Sequence, residues 1–113
     1  MQPEARKYLY DVLKACEAIL AFVGNRTFED YDSDLMLRSA VERQLMIVGE
    51  ALNKASQIDG TLEEHIPEKR DVVRLRNIIA HGYAIVENAT VWGILQADVP
   101  RMHEQVRQLL ESA

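Results

Sequence analysis

Hydrophobic residues recur every three or four positions along most of the chain, and this period predicts amphipathic α-helices. The first helix is expected from about Pro3 to Val23, with one apolar stripe made of Ala5, Leu9, Val12, Cys16, Ile19 and Val23. The second is expected from about 34 to 58, with a stripe made of Leu37, Val41, Leu45, Val48, Leu52 and Ala55. Gly49 lies inside this second helix, where glycine costs about 1 kcal/mol of stability relative to alanine. We therefore expect another helix to approach closely there.

Two further helices are predicted in the second half of the chain. The third lies between Pro67 and Gly82, with an apolar face made of Val72, Leu75, Ile78 and Ile79. The fourth runs from about 89 to 111, with a stripe made of Trp92, Leu95, Val99, Met102, Val106 and Leu109. Proline lacks a backbone N–H and clashes with the preceding turn, so Pro100 is expected to kink this helix or split it after Asp98.

Polar residues mark the connections between these helices. Thr27 and Asp30 can cap one short helical turn, and Ser33 or Asp34 can cap the second helix. The pattern Thr61–Glu64 is a capping box for another short turn, and Asn88 can cap the fourth helix. The only stretch with a strand-like period, residues 83–86, is too short to pair alone. The sequence predicts an all-α, up-and-down four-helix bundle with a short extra helical turn between the second and third long helices.

Length and composition narrow the classes of protein further. The 113 residues suit a single domain, 1–113, and the 48% of hydrophobic residues is an ordinary globular value. No apolar run is long enough for a membrane span, and the N-terminus lacks a signal-peptide core, so a cytoplasmic location and no membrane partner are expected. A single cysteine, Cys16, excludes an internal disulfide and a cysteine-based zinc site.

The charge of the chain is unfavourable for binding nucleic acid, with one local exception. The net charge is −5, whereas nucleic-acid-binding domains are usually basic. The third helix, however, concentrates cations within eight residues: Lys69, Arg70, Arg74 and Arg76. Any contact with RNA is therefore expected on this helix.

One polar face of the third helix carries the residues best suited to chemistry. Arg70, Arg74, Asn77 and His81 follow each other at spacings of 4, 3 and 4 on the side opposite the apolar face. Two fixed cations and an amide can receive a phosphate, and an imidazole with a pKa of about 6.5 can exchange a proton near neutrality. On this pattern alone, a solvated basic face is the more common interpretation. Cys16, His65 and His103 are expected to be structural or surface residues.

The segment Arg76-Asn77-Ile78-Ile79-Ala80-His81-Gly82-Tyr83 changes that interpretation. It resembles the HEPN motif in the extended form of HepT-like toxins: arginine, four residues, histidine, one residue, tyrosine. The segment Arg38–Ala51 looks like the second-helix signature of that family, and Asp98-Val99-Pro100 is similar to the kink before its last helix. The resemblance covers about residues 5 to 111.

The resemblance implies a fold, an activity and partners. It implies a HEPN four-helix bundle that forms a homodimer and acts as a metal-independent endoribonuclease, the toxin of a toxin–antitoxin module. Arg76 and His81 would be the catalytic pair, and Asn77, Arg70 and Arg74 would support RNA binding. The usual partner is an MntA-like nucleotidyltransferase antitoxin, which can transfer AMP to the motif tyrosine, here Tyr83. No metal and no cofactor are expected.

Helix geometry sets a condition on this site. Five residues of an ideal helix separate Arg76 and His81 by about 140° around the axis. The two can meet only if the helix unwinds near 80–82 or if a second protomer supplies one of them. The apolar stripes are also expected to exceed what one small chain can bury, which favours a two-fold symmetric homodimer with His81 near its axis.

Two other functions remain open from the sequence. A non-catalytic HEPN subunit could bind nucleotide or RNA, or form the structural half of a nucleotidyltransferase complex, and the net charge favours it. A plain dimeric helical adaptor would depend on none of the motif residues. The intact set of Arg76, Asn77, His81 and Tyr83 favours the ribonuclease.

Overall fold

The chain folds into an all-α bundle, as predicted. The computed structural model describes residues 1–81 and 87–112, with His81 described through its backbone alone. The helices are α1 (Pro3–Val23), α2 (Phe28–Ser33), α3 (Leu35–Ile58), α4 (Leu62–His65), α5 (Lys69–His81), α6 (Asn88–Gly93), a π-helical segment (Ile94–Asp98) and α7 (Val99–Glu111). The long helices α1, α3 and α5, together with the α6–α7 rod, form the four-helix bundle. Helix α4 is the short extra turn.

Helix α3 lies at the centre of the bundle. It packs against α1 on one side and α5 on the other, while α1 also packs against α7. Every residue of the predicted stripes of α1 and α3 is buried. The expectation that one chain cannot bury its apolar stripes was therefore wrong for α1 and α3. None of the helices in the described ranges combines the length and hydropathy that a membrane crossing requires.

The helix ends follow the predicted caps in part. Thr27 and Asp30 form a reciprocal capping box on α2, and the Asp34 carboxylate accepts from the Leu37 N–H at 3.1 Å. The capping box predicted at Thr61 is wrong, because Thr61 has helical backbone angles and its hydroxyl donates to Asp59 instead, at 2.6 Å. That contact holds the pKa of the Asp59 carboxyl below its usual range.

Asn88 also has a different role from the one predicted. The N-cap of α6 is Glu87, and Asn88 is the first helical residue. Its side-chain amide donates to the Asp32 carboxylate at 2.8 Å. Asn88 therefore ties the start of α6 to α2 across 56 positions of sequence.

The split after Asp98 is confirmed and takes the form of a π-helix. Residues Ile94–Asp98 bond one residue further back than in an α-helix, so that the Val99 N–H donates to the Ile94 carbonyl. Pro100 then occupies the first turn of α7, where its missing N–H is tolerated. The wider π turn accommodates the proline without ending the rod.

Helix α2 contributes a core residue, Tyr31, that the sequence did not predict, because most residues of this connection are polar. Tyr31 is completely buried, and its ring centroid lies 5.6 Å from that of Trp92 in α6. Phe28 approaches the same indole edge-on at 6.4 Å. Burial raises the pKa of Tyr31 to about 12, and the Glu42 carboxylate adds to the rise.

Candidate functional site

Helices α3 and α5 approach each other closely where Gly49 meets Arg76. A Cβ atom placed on Gly49 would lie 2.6 Å from the Arg76 Cβ and 2.9 Å from its Cγ. No side chain larger than hydrogen fits there without a shift of one helix. The predicted close approach at Gly49 is confirmed, and its partner is the motif arginine, which the sequence did not identify.

The Arg76 guanidinium is held by two polar neighbours. Its Nη1 donates to the Asn77 Oδ1 at 2.9 Å, and its Nη2 lies 4.0 Å from the Glu50 Oε2. The side chain is 27% exposed, and its Nε is buried without a partner in the part of the chain that the structure describes. An unpaired buried donor costs free energy until it finds an acceptor. Arg76 is therefore fixed by its stem and still presents part of a cation to solvent.

Glu50 connects this arginine to a second cation. One turn further along α3, the Lys54 Nζ lies 3.5 Å from the other carboxylate oxygen, Glu50 Oε1. Glu50 thus lies between Arg76 and Lys54, and its exposed carboxylate occupies the position that an anionic ligand of both would take. Neither Glu50 nor Lys54 is predicted from the sequence as a site residue. Glu50 lies within the family-like segment Arg38–Ala51, and this was the available signal for it, whereas Lys54 lies outside that segment.

The predicted polar face of α5 is present on the described residues. Arg70, Arg74 and Asn77 are all exposed, while Val72 and Leu75 on the opposite side are buried. Neither Arg70 nor Arg74 has a carboxylate within ion-pair distance among residues 1–81 and 87–112. Lys69 does not belong to this patch, because its ammonium pairs with Glu63 at 2.8 Å and is mostly covered.

His81 is the last residue described in α5, and the helix remains regular up to it. The unwinding that could bring His81 towards Arg76 therefore does not occur at Ala80 or before it. Backbone geometry leaves the two residues about 140° apart around the axis. Gly82 and Tyr83 lie outside the described residues, as does the side chain of His81. The structure thus groups Arg76 with Asn77 and Glu50.

The other titratable candidates lie in the core, in a contact between helices and on the surface. They are Cys16, His103 and His65. Cys16 is completely buried, and burial with the neighbouring Glu17 raises the pKa of its thiol to about 12. The His103 Nε2 lies 3.3 Å from the Glu17 carboxylate, joining α7 to α1. His65 is exposed in α4. No group of three or more potential metal ligands occurs among the residues that the structure describes.

The family-like segment of α3 divides into a structural part and a part that meets the candidate site. The Arg38 guanidinium donates to the carbonyls of Tyr31 and Asp32 and so fastens the end of α2 to α3. Eleven positions later, Gly49 and Glu50 contact Arg76. One sequence block therefore supports both the fold and the arginine.

Comparison with known proteins gives a consistent set of relatives. Residues 12–109 match the family described as "Ribonuclease HepT-like". The chain is 30% identical over 105 residues to a protein of Methanocaldococcus jannaschii named "Putative RNase MJ1380", covering 91% of this chain and 94% of that one. It is also 30% identical over 109 residues to a protein of Thermococcus cleftensis named "Probable ribonuclease HepT", covering 96% and 98%. No solved structure matches the chain.

Proposed function

The chain belongs to the ribonuclease HepT-like family, and on this premise we propose that it is a metal-independent endoribonuclease, the toxin of a toxin–antitoxin module. The observation that carries the proposal is the placement of Arg76. Its stem is locked against Gly49 and its guanidinium is oriented by Asn77 and Glu50. A pre-oriented cation is what a developing phosphorane charge requires.

The proposed reaction is an intramolecular transesterification. The 2′-hydroxyl oxygen of the RNA attacks the adjacent phosphorus, and His81 accepts the hydroxyl proton as general base. The bond from phosphorus to the 5′-oxygen breaks, and a protonated imidazole supplies the proton that this oxygen needs. The products are a 2′,3′-cyclic phosphate and a 5′-hydroxyl end. Arg76 stabilises the additional negative charge of the phosphorane, and Arg70 and Arg74 attract the flanking phosphates.

The site is proposed to form between two protomers. Since α5 remains helical through His81, its backbone places positions 76 and 81 of one chain about 140° apart around the helix axis. A homodimer that packs the two copies of α5 against each other can place Arg76 of one chain beside His81 of the other. The same packing would gather Arg70 and Arg74 of both chains into one basic groove on an otherwise acidic protein.

Control by a nucleotidyltransferase antitoxin is proposed at Tyr83. An MntA-like partner would transfer AMP from ATP to the tyrosine hydroxyl and release pyrophosphate. Tyr83 lies two positions after His81 and seven positions after Arg76 in the sequence. A negatively charged AMP group there would compete with RNA phosphates for the arginine. Co-expression with the partner should add roughly 329 Da per AMP by intact-mass spectrometry, and Tyr83→Phe should prevent the addition.

The activity is tested with purified protein and total RNA in EDTA. We expect cleavage with cyclic phosphate ends, and we expect His81→Ala and Arg76→Ala each to reduce it by about 10²- to 10⁴-fold. Arg107→Ala is the matched control, because Arg107 is a partly exposed arginine on α7 held by Glu104 and Glu111. Full activity of His81→Ala would overturn the assignment.

A second candidate function is a non-catalytic subunit that binds RNA or nucleotide. The net charge of −5 and the Glu50 carboxylate beside Arg76 favour it, because both weaken the attraction for phosphate. It predicts that the wild-type protein binds RNA in EDTA and leaves it intact, and that His81→Ala changes nothing.

A further inference from the structure

An aromatic ring flanked by two ammonium groups lies next to the candidate site. The Tyr8 ring of α1 has the Lys54 Nζ at 5.7 Å and the Lys7 Nζ at 5.8 Å from its centroid. We refer to Tyr8, Lys7 and Lys54 as the Tyr8 cluster. Tyr8 is partly buried and packs against the core, so the ring is held in place by α1. Lys7 is exposed, and half of the Lys54 side chain is exposed.

The Tyr8 cluster is connected to Arg76 through Glu50. Lys54 contacts both the Tyr8 ring and the Glu50 Oε1, and the Glu50 Oε2 faces Arg76. Lys54 lies one turn from Glu50, about 6 Å along α3. A row of contacting groups therefore crosses the surface from α5 over α3 to α1. It consists of Arg76, Glu50, Lys54 and Tyr8.

We propose that the Tyr8 cluster is a second contact for single-stranded RNA, in which Tyr8 stacks on a base and Lys54 and Lys7 bind the phosphates of the strand whose scissile phosphate lies at Arg76. Aromatic rings interleaved with cations are the usual means of holding a single strand without reading its sequence. Lysine ammonium groups on flexible stems can leave the ring face for a phosphate when a base arrives. The inference rests on the proposed function, since it places the cleaved bond at Arg76.

A similar arrangement elsewhere in the chain provides a matched control. The Lys14 Nζ lies 5.5 Å from the centroid of the Tyr10 ring and 3.9 Å from the Glu17 carboxylate. The Glu17 carboxylate contacts His103 of α7, whereas the Glu50 carboxylate beside Lys54 contacts Arg76. Substitutions at Tyr10 and Lys14 therefore remove the same groups from a place that the proposed strand does not reach.

Binding is measured with a 2′-O-methyl oligonucleotide of about ten nucleotides, which lacks the attacking hydroxyl and cannot be cleaved. We expect Tyr8→Leu to weaken binding about fivefold to a hundredfold and Tyr8→Phe to preserve it. Lys54→Ala is expected to lower the slope of log affinity against log salt concentration by about 0.7. Tyr10→Leu and Lys14→Ala should bind like the wild type, and melting curves identify any variant that fails to fold.

Cleavage of unmodified RNA in EDTA separates this inference from the proposed function. Tyr8→Leu and Lys54→Ala should raise KM for a long substrate more than KM for a dinucleotide, because a dinucleotide offers fewer bases and phosphates to the Tyr8 cluster. If the wild type cleaves RNA and both variants bind and cleave like it, the inference is overturned and the ribonuclease stands. Equal losses at Tyr10 and Lys14 also overturn it. If the wild type binds but never cleaves, the ribonuclease fails, while weaker binding by Tyr8→Leu and Lys54→Ala alone supports the Tyr8 cluster.

Discussion

At the residue scale, the candidate site depends on a glycine that makes no chemical contribution of its own. Gly49 allows the Cβ and Cγ of Arg76 to lie against the backbone of α3, so the direction of the guanidinium is set by a helix crossing. Asn77 and Glu50 then fix the end of the same side chain. The sequence could indicate that Gly49 meets a helix, because a glycine in a helix interior costs stability. It could not indicate Arg76, since the crossing point depends on how two distant helices pack.

Replacing Gly49 with alanine tests whether the helix crossing positions Arg76. In Gly49→Ala the added methyl group collides with Arg76, so we expect overpacking to lower the free energy of unfolding by about 1–3 kcal/mol. The higher helix propensity of alanine should offset up to about 1 kcal/mol of this loss. Misplacement of the guanidinium should lower RNA cleavage by about tenfold to a hundredfold. Both effects are measured by denaturant unfolding and by a cleavage assay in EDTA.

Gly93 is the control for this substitution. It is helical, and a Cβ placed on it would meet nothing within 4 Å. Gly93→Ala should therefore be neutral or stabilising by up to about 1 kcal/mol, with unchanged cleavage. A Gly49→Ala protein that cleaves RNA at the wild-type rate would show that the crossing does not determine the position of Arg76.

Cys16 should be unreactive in the folded protein. Its thiol is completely buried and its pKa is raised to about 12, so the reactive thiolate is scarce at neutral pH. We expect iodoacetamide to leave the native protein unlabelled and to add one group after denaturation. Ser112→Cys, at an exposed position, should add one label in the native state. Rapid native labelling of the wild type at Cys16 would contradict the structural assignment of this thiol.

At the element scale, the sequence predicted the long helices better than the segments between them. The period of α1 and α3 gave their apolar faces correctly, because each stripe packs against a neighbouring helix over its whole length. Helix α2 was predicted only as a polar turn, although Tyr31 anchors it against Trp92. A single buried aromatic residue has no period, so its burial follows only from the tertiary fold. The π-helix at Ile94–Asp98 likewise follows from Pro100 and not from hydrophobicity.

Asp98, the last residue of the π-helix, should make the stability of the protein depend on pH. Burial raises the pKa of the Asp98 carboxyl, and the Asp71 and Glu68 carboxylates add to the rise. The folded state therefore favours the protonated acid. This contribution to stability is complete below the ordinary aspartate pKa and is lost as the pH rises through the raised folded pKa. Above that raised pKa, the ionised Asp98 destabilises the fold relative to the protonated form.

Asp98→Asn should remove this cost, because an amide cannot ionise. We expect the variant to melt at a higher temperature than the wild type at pH 7, and we expect the difference to shrink at about pH 3.5, where the wild-type carboxyl is protonated. Circular dichroism melts at the two pH values measure it. Asp11→Asn, at an exposed position on α1, is the control. An equal gain at both pH values would assign the effect to local helix stability and not to ionisation.

At the scale of the whole molecule, the helical geometry of α5 supports the proposal that two chains share one site. Burial of the α1 and α3 stripes within one chain removes the hydrophobic argument for a dimer. The separation of Arg76 and His81 on a continuous helix provides a different argument, since the catalytic pair would have to come from two copies. A composite site also explains how an acidic protein can create a basic surface, because the arginines of two α5 helices would be combined.

A mixed dimer tests the composite site directly. Arg76→Ala and His81→Ala proteins are each expected to be inactive, because every site in either homodimer lacks one catalytic group. In a dimer of one protomer of each kind, one site has lost both groups, and the other combines Arg76 of the His81→Ala chain with His81 of the Arg76→Ala chain. Random exchange makes about half of the dimers mixed, so mixing equal amounts should restore about a quarter of the wild-type cleavage. Mixing Arg76→Ala with an Arg76→Ala/His81→Ala protein should restore none. If the first mixture stays inactive although mass spectrometry shows that protomers have exchanged, Arg76 and His81 do not meet across the dimer.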